Sequence, residues 1–112
     1  MNDAKTSVAD LKHLVQTFVD DRDWSRHHTP KNLSMSVAIE AAELMEHFQW
    51  KTSGASESQI DRAEVENEIA DVAAYLLSLC NALQIDLSEA MTRKMKLNAE
   101  KYPKGHPGVL ND

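Results

Sequence analysis

The chain has 112 residues, a formal net charge of -6, 42% hydrophobic residues and 27% charged residues. These values are typical of one soluble globular domain with a modest core. The acidic balance argues against a nucleic-acid polymer as partner, because its phosphates need a surplus of Lys and Arg. We expect no membrane span, since no apolar run approaches 18 residues, and the lone Cys80 together with a polar first segment favours a cytoplasmic protein.

Apolar residues at helical spacing predict the first helix over residues 7–22, capped by Thr6 or Ser7. The segment that follows breaks the pattern, because Pro30 disfavours a helical conformation of the residue before it. This segment also contains Trp24. Its ring either anchors the loop on the core or offers a flat surface for a nucleotide base, and the residues alone leave both open.

The second helix is predicted over residues 33–49, with Asn32 or Ser34 as its cap. A polar loop separates it from a long third helix, predicted over residues 57–83 with Ser56 as its cap. Both helices carry a face that is half acidic and half apolar. Matching faces of this kind predict that the two helices pack against each other.

Asp86 is the predicted cap of a fourth helix, which ends before Pro103. The sequence therefore predicts a single all-α domain over residues 1–112, with a core at about 7–103 and an irregular tail at 104–112. The predicted architecture is an antiparallel four-helix bundle-like domain. So small a domain buries only about two-thirds of its chain surface, which favours a homodimer at least.

Two pairs of carboxylates, each three residues apart, stand out on the second and third predicted helices. They are Glu40 with Glu43 and Glu68 with Asp71, separated by 24 residues. Residues i and i+3 lie on one helix face, so the four acids could meet where the helices pack. A divalent cation would offset their repulsion, and an all-oxygen set suits Mg²⁺, or Mn²⁺ in its place, better than zinc.

Other interpretations of these acids stay open. Acids at this spacing are common on solvated helix faces, and the chain could be a non-catalytic helical bundle whose acidic face binds metal or a protein. A di-iron bundle is disfavoured, because it requires Glu-x-x-His pairs that this sequence lacks.

The acid pattern resembles the E-x-x-E…E-x-x-D signature of the all-α nucleoside triphosphate pyrophosphohydrolases, the MazG-like superfamily. The flanking residues are similar to the dCTP pyrophosphatase branch. The similarity covers roughly residues 10 to 103. These flanking motifs are Asp23-Trp24, His28-x-Pro30-Lys31-Asn32, Phe48-Gln49-Trp50-Lys51 and Lys94-Met95-x-x-Asn98-x-x-x-Tyr102-Pro103.

This resemblance implies a helical protein that hydrolyses a nucleoside triphosphate to the monophosphate and pyrophosphate with Mg²⁺. It implies that the four motif acids hold the metal, and we expect Glu43 or Glu40 to hold the attacking water. It further implies that the substrate is bound by Trp24, His28, Trp50, Tyr75, Lys94, Asn98 and Tyr102.

The sequence departs from the branch at one position and leaves the substrate open. Val15 stands where animal members of the branch carry a His that contacts the base. A dCTP-like substrate with a broader deoxynucleotide preference is therefore expected, with dUTP or a damaged nucleotide as the alternative. The resemblance also implies homodimers or homotetramers, with pockets built from more than one chain, and a role in nucleotide-pool housekeeping.

Overall fold

The computed structural model describes residues 1–51 and 59–108, and all regular structure within these ranges is helical. The α-helices there are α1 (Val8–Asp21), α2 (Pro30–Glu46), α3 (Arg62–Leu83) and α4 (Leu87–Lys101), with a 3₁₀ turn at Ser25–His27. The predicted all-α fold with four helices is confirmed.

The start of α1 agrees with the sequence and the start of α2 does not. Ser7 caps α1 by accepting a hydrogen bond from the Asp10 backbone, and the Asp10 carboxylate accepts one from the Ser7 backbone in return. Helix α2 begins at Pro30, capped by the Thr29 hydroxyl, so the prediction of Asn32 or Ser34 as its cap is wrong. Pro suits the first helical position, where its missing N–H has no partner to lose.

The prediction that α2 extends to Gln49 is also wrong, since the helix ends at Glu46 and turns follow it. Helix α3 begins at Arg62 with Asp61 as its cap, five residues after the predicted start at 57. The predicted cap Ser56 and its polar loop lie outside the described residues.

Helix α4 has its predicted cap, Asp86, whose carboxylate accepts from the backbone of Glu89 at 2.9 Å. The helix ends two residues before Pro103, as expected. Residues 104–108 of the predicted irregular tail form no helix or strand, and 109–112 lie outside the described residues.

Helices α2 and α3 form the most extensive helix pair, and α1 packs on α3. The buried apolar side chains of the described residues are few: Val19, Leu33, Val65, Leu77 and Cys80. Helix α4 lies outside this packed group of three and exposes half of the side chains of Met91, Met95 and Leu97. Within the described ranges no single helix is long and apolar enough to cross a membrane; α3 and α4 pass that test only together and are bent by 102° at their junction.

The loop between α1 and α2 is fixed to both helices by hydrogen bonds. The Trp24 backbone N–H donates to the Val19 carbonyl at 3.0 Å, and the Ser25 hydroxyl donates to the Asp20 carboxylate at 3.1 Å. On the other side, the Asn32 amide donates to the His27 carbonyl at 3.0 Å. These contacts hold the loop, and with it Trp24 and His28, over one side of α3.

Candidate active site

Three of the four predicted motif acids meet between α2 and α3. Glu40 comes from α2, and Glu68 and Asp71 from α3, with one carboxylate oxygen of each within 4.8 Å of the others. The extensive packing of α2 on α3 brings them together, because each acid borders the apolar stripe that faces the neighbouring helix.

Burial raises the pKa of the Glu40 carboxyl from 4.5 to about 7, and the neighbouring carboxyls of Glu43, Glu68 and Asp71 add to the increase. The Oε2 atoms of Glu40 and Glu68 are buried and have no hydrogen-bond partner among the described residues. Such oxygens are costly to bury, and an oxygen-only donor set fits a hard divalent cation.

Glu43, the fourth motif acid, lies at the edge of this cluster. Its carboxyl contacts that of Glu40, but its side chain is exposed and lies outside the group of three converging acids. Glu43 and Asp71 are therefore exposed, whereas Glu40 and Glu68 are half-buried.

A cavity of about 440 Å³ opens beside the cluster, between α1, α3 and the loop that joins α1 to α2. Asp71 belongs to both the cluster and the cavity wall. Three predicted substrate-binding residues line the same cavity, namely Trp24, His28 and Tyr75. The remaining wall consists of Leu14, Val15, Phe18, Val19, Ala74 and Ser78.

Two ring contacts orient the aromatic side chains of this cavity. Phe18 packs edge-to-face against Trp24, with ring centroids 5.6 Å apart, and the Arg22 guanidinium lies 3.6 Å from the centre of the Phe18 ring. His28 lies 6.4 Å from Tyr75 at a tilted angle. Trp24 is thus anchored by Phe18 and also lines the cavity, and its stacking on a base stays a prediction.

The other four predicted substrate-binding residues line neither this cavity nor a smaller one next to it. Trp50 follows α2 and is 89% exposed, and Lys94, Asn98 and Tyr102 lie on or at the end of α4, outside the packed group of helices. The Tyr102 ring instead packs edge-to-face on His106, 4.9 Å away. The roles assigned to these four residues stay predictions.

Sequence reasoning missed several cavity residues, although a signal for some of them was present. Ala74 and Ser78 follow Asp71 by three and seven residues, so helical spacing alone puts them on its face. Leu14 and Phe18 were not identified because apolar residues on α1 serve equally well as core. Val15 lies in the cavity wall, so the one departure from the family pattern falls at the site itself.

The fold and the site define an all-α protein with a carboxylate cluster suited to a divalent cation, beside an aromatic-lined cavity. The chain belongs to the MazG-like family, which it matches over residues 35–108.

The chain is also similar to several named proteins. The chain is 37% identical to dCTP pyrophosphatase 1 of Homo sapiens and 35% identical to that of Rattus norvegicus, in each case over 101 residues. These alignments cover 87% of this chain and 59% of the relatives, so the chain spans about three-fifths of their length. A crystal structure of a pyrophosphatase from Archaeoglobus fulgidus is 44% identical, with a TM-score of 0.81, over 93% of this chain and 99% of that one.

Proposed function

We propose that this protein hydrolyses a nucleoside triphosphate to the monophosphate and pyrophosphate. The observation that carries the proposal is the shared position of Asp71, which belongs to both the acid cluster and the aromatic-lined cavity. A base in the cavity would therefore leave its phosphates beside the acids. The names of the relatives, dCTP pyrophosphatase and pyrophosphatase, support the same reaction.

Glu40, Glu68 and Asp71 would hold a divalent cation, with Glu43 beside them, and Mg²⁺ is the ion that this donor set favours, with Mn²⁺ as a substitute. The bound cation would supply positive charge to offset the charge of the triphosphate. Holding the cation requires Glu40 to be deprotonated, although burial raises its pKa to about 7.

Glu43 is the best-placed residue to orient the attacking water, because its exposed carboxylate contacts Glu40 and lies outside the three acids that would hold the cation. The water oxygen forms a bond to the α-phosphorus, and the bond between that phosphorus and the oxygen leading to the β-phosphorus breaks. The water proton passes to the carboxylate, and pyrophosphate leaves with the bonding electron pair. Positioning and charge stabilisation supply most of the rate increase in phosphoryl-type transfers.

The preferred substrate is proposed to be a deoxynucleotide resembling dCTP. The cavity is apolar over most of its wall and offers Trp24, His28 and Tyr75 to a flat ring. Val15 contributes an aliphatic side chain where a hydrogen-bonding residue would narrow the choice of base, which favours a broader range that includes dUTP.

A second copy of the chain is proposed to complete the molecule. Ile39 on α2 and Ile69 on α3 expose 57% and 52% of their side chains directly beside the cluster residues Glu40 and Glu68. The apolar side chains of Met91, Met95 and Leu97 on α4 are exposed as well. A homodimer or homotetramer would cover this surface and bring α4 of one copy toward the site of another.

Hydrolysis of each common ribo- and deoxynucleoside triphosphate in ¹⁸O-labelled water, followed by mass spectrometry, tests the reaction. We expect monophosphate carrying one ¹⁸O and unlabelled pyrophosphate, with the highest rate among the deoxypyrimidine nucleotides. Label in the pyrophosphate would show that water attacks the β-phosphorus. Diphosphate plus phosphate as products would show cleavage between the β- and γ-phosphates.

The alternative of a non-catalytic acidic bundle makes a different prediction. It requires that no triphosphate in the panel is hydrolysed and that a non-hydrolysable nucleotide with Mg²⁺ leaves the melting temperature unchanged. The proposed enzyme should be stabilised by the two ligands together, since both bind only the folded state.

A further inference from the structure

We propose that Ser78 contacts the base of the nucleotide and determines which bases the cavity accepts. This inference rests on the proposed function, because it takes the cavity beside the acid cluster to be the base-binding site. The proposed contact is a hydrogen bond between the Ser78 hydroxyl and the polar edge of the base.

Ser78 is the residue of α3 in the cavity wall that lies farthest along the helix from Asp71. Asp71, Tyr75 and Ser78 follow one another along one face of α3, and all three line the cavity. Seven residues of helix separate Asp71 from Ser78, which is about 10 Å along the axis and comparable with the length of a nucleoside. Phosphates at the Asp71 end would place the far edge of the base at Ser78.

A second, smaller cavity supports this assignment of the two ends. It has a volume of about 160 Å³ and shares Val19, His28 and Ser78 with the larger cavity, and it continues along α3 to Asn81. Ser78 and His28 therefore line both cavities, and they are the polar side chains that the two cavities share.

The Ser78 hydroxyl is available for a ligand. Hydroxyls inside helices commonly donate to a carbonyl one turn earlier, as Ser34 does to the Lys31 carbonyl at 2.7 Å and Thr92 to the Ser88 carbonyl at 2.8 Å. Within the described residues Ser78 makes no such bond, and its side chain is half-buried in the cavity wall. A half-buried hydroxyl without a protein partner, at the end of an apolar cavity, is a typical polar determinant of ligand choice.

The Ser78 hydroxyl would discriminate between bases by hydrogen bonding. It donates one hydrogen bond and accepts others, so it can pair with an amino group or a carbonyl group on the base edge. A base without a polar group there would leave the hydroxyl without a hydrogen bond. Binding sites discriminate against ligands that leave a buried polar group unpaired in this way. His28 can pair with a second atom of the same edge.

Isothermal titration of Ser78→Ala with α,β-imido analogues of dCTP, dTTP, dUTP and dATP tests the proposal. Inorganic tripolyphosphate serves as the ligand without a base. The variant should lose about 2- to 10-fold in affinity for the best analogue, the range of one neutral hydrogen bond, and its ranking of the bases should flatten. Tripolyphosphate affinity should not change. Ser34→Ala is the matched control, because the hydroxyl of Ser34 already bonds its own helix.

The outcomes separate this inference from the proposed function. An unchanged ranking in Ser78→Ala, or an equal loss of tripolyphosphate affinity, overturns the base contact even if the wild type hydrolyses triphosphates. A Ser78-dependent ranking in a wild type that binds the analogues but hydrolyses no triphosphate keeps the base contact and overturns the proposed reaction. Absence of analogue binding in the wild type overturns both.

Discussion

The four motif acids occupy three different settings. Glu40 and Glu68 are half-buried and each has a buried oxygen without a partner among the described residues, Asp71 lies where the cluster meets the cavity, and Glu43 faces solvent. Spacing in the sequence predicted that these acids would meet, because i and i+3 share a helix face. It could not assign the settings, which depend on how far α2 and α3 are rotated toward each other.

We expect Glu43→Gln to lower kcat by at least about 100-fold, the lower end of what a positioned acid–base group contributes. The amide keeps the shape of the side chain but is a much weaker hydrogen-bond acceptor for the attacking water. The melting temperature should stay close to that of the wild type, because Glu43 is exposed. Steady-state kinetics and thermal melting check both statements.

Glu46→Gln is the matched control for this prediction, since Glu46 is an exposed acid three residues further along α2 and contributes to neither the cluster nor the cavity. It should keep full activity. Wild-type rates in Glu43→Gln would remove Glu43 from the reaction and leave Glu40 as the acid that orients water.

The raised pKa of Glu40 predicts a pH dependence of stability in the absence of divalent cations. A carboxyl with a pKa of about 7 in the folded state and 4.5 when unfolded binds its proton more tightly in the folded protein. Its contribution is therefore fully present below pH 4.5 and is lost as the pH rises through about 7. The melting temperature in EDTA should fall between pH 5 and pH 8, beyond what other groups contribute.

Glu40→Gln isolates this contribution, because Gln does not titrate. The variant should resemble the wild type at pH 5 and be the more stable of the two at pH 8. If the melting temperatures of the two proteins change with pH by the same amount across this range, the Glu40 carboxyl ionises normally in the folded chain.

At the scale of the helices, each α-helix in the described residues begins at a side-chain cap. Sequence reasoning identified Asp86 correctly, because Glu89 follows it by three residues, and it left Ser7 and Thr6 as alternatives, of which Ser7 is the cap. It missed Thr29 because Pro30 was interpreted only as disfavouring a helical conformation of the residue before it, whereas Pro also suits the first position of a helix. Asp61 was missed because Ser56, five residues earlier, was predicted as the cap of α3 instead.

The end of α3 holds a residue in an unfavourable conformation. Gln84 has φ of 54° and ψ of 47°, the left-handed region in which residues other than glycine are disfavoured. Gln84→Gly should therefore stabilise the protein by about 0.5 to 1 kcal/mol, which corresponds to a rise of a few degrees in melting temperature. Differential scanning calorimetry measures this change.

Gln84→Ala is the matched control for the glycine variant, since it removes the same exposed side chain and keeps the disfavoured backbone. It should give no comparable rise. If both variants melt at the same temperature, the backbone conformation of residue 84 does not limit stability.

At the scale of the molecule, the sequence predicted the helices but not where α4 lies. The helix has a short apolar stripe, which predicts that this face packs against another apolar surface but does not indicate which one. The structure leaves this stripe exposed outside the packed group α1 to α3, and leaves Lys94, Asn98 and Tyr102 away from the cavity. Their predicted roles therefore depend on the proposed second copy.

Ile39→Glu should convert the proposed oligomer to monomers, because a charge would be buried in the covered surface. The wild type should have at least twice the chain mass of 12.6 kDa in light scattering, and the variant should have the single-chain mass. Its kcat should fall along with the loss of the second copy.

Thr17→Glu is the control for Ile39→Glu, since it adds the same charge at an exposed position of α1 that lines neither cavity. It should leave the mass and the activity unchanged. A monomeric wild type with full activity would show that α4 is not needed from another copy.

The local caps of the helices imply an order of events during folding. Ser7, Thr29, Asp61 and Asp86 each satisfy a backbone group within three residues of themselves, so each helix start is specified by its immediate neighbours. Chains rich in such local contacts fold rapidly, whereas association of two copies depends on how often they collide. In stopped-flow refolding, far-ultraviolet circular dichroism should recover at a rate independent of protein concentration. Enzymatic activity should return later, at a rate that rises with concentration.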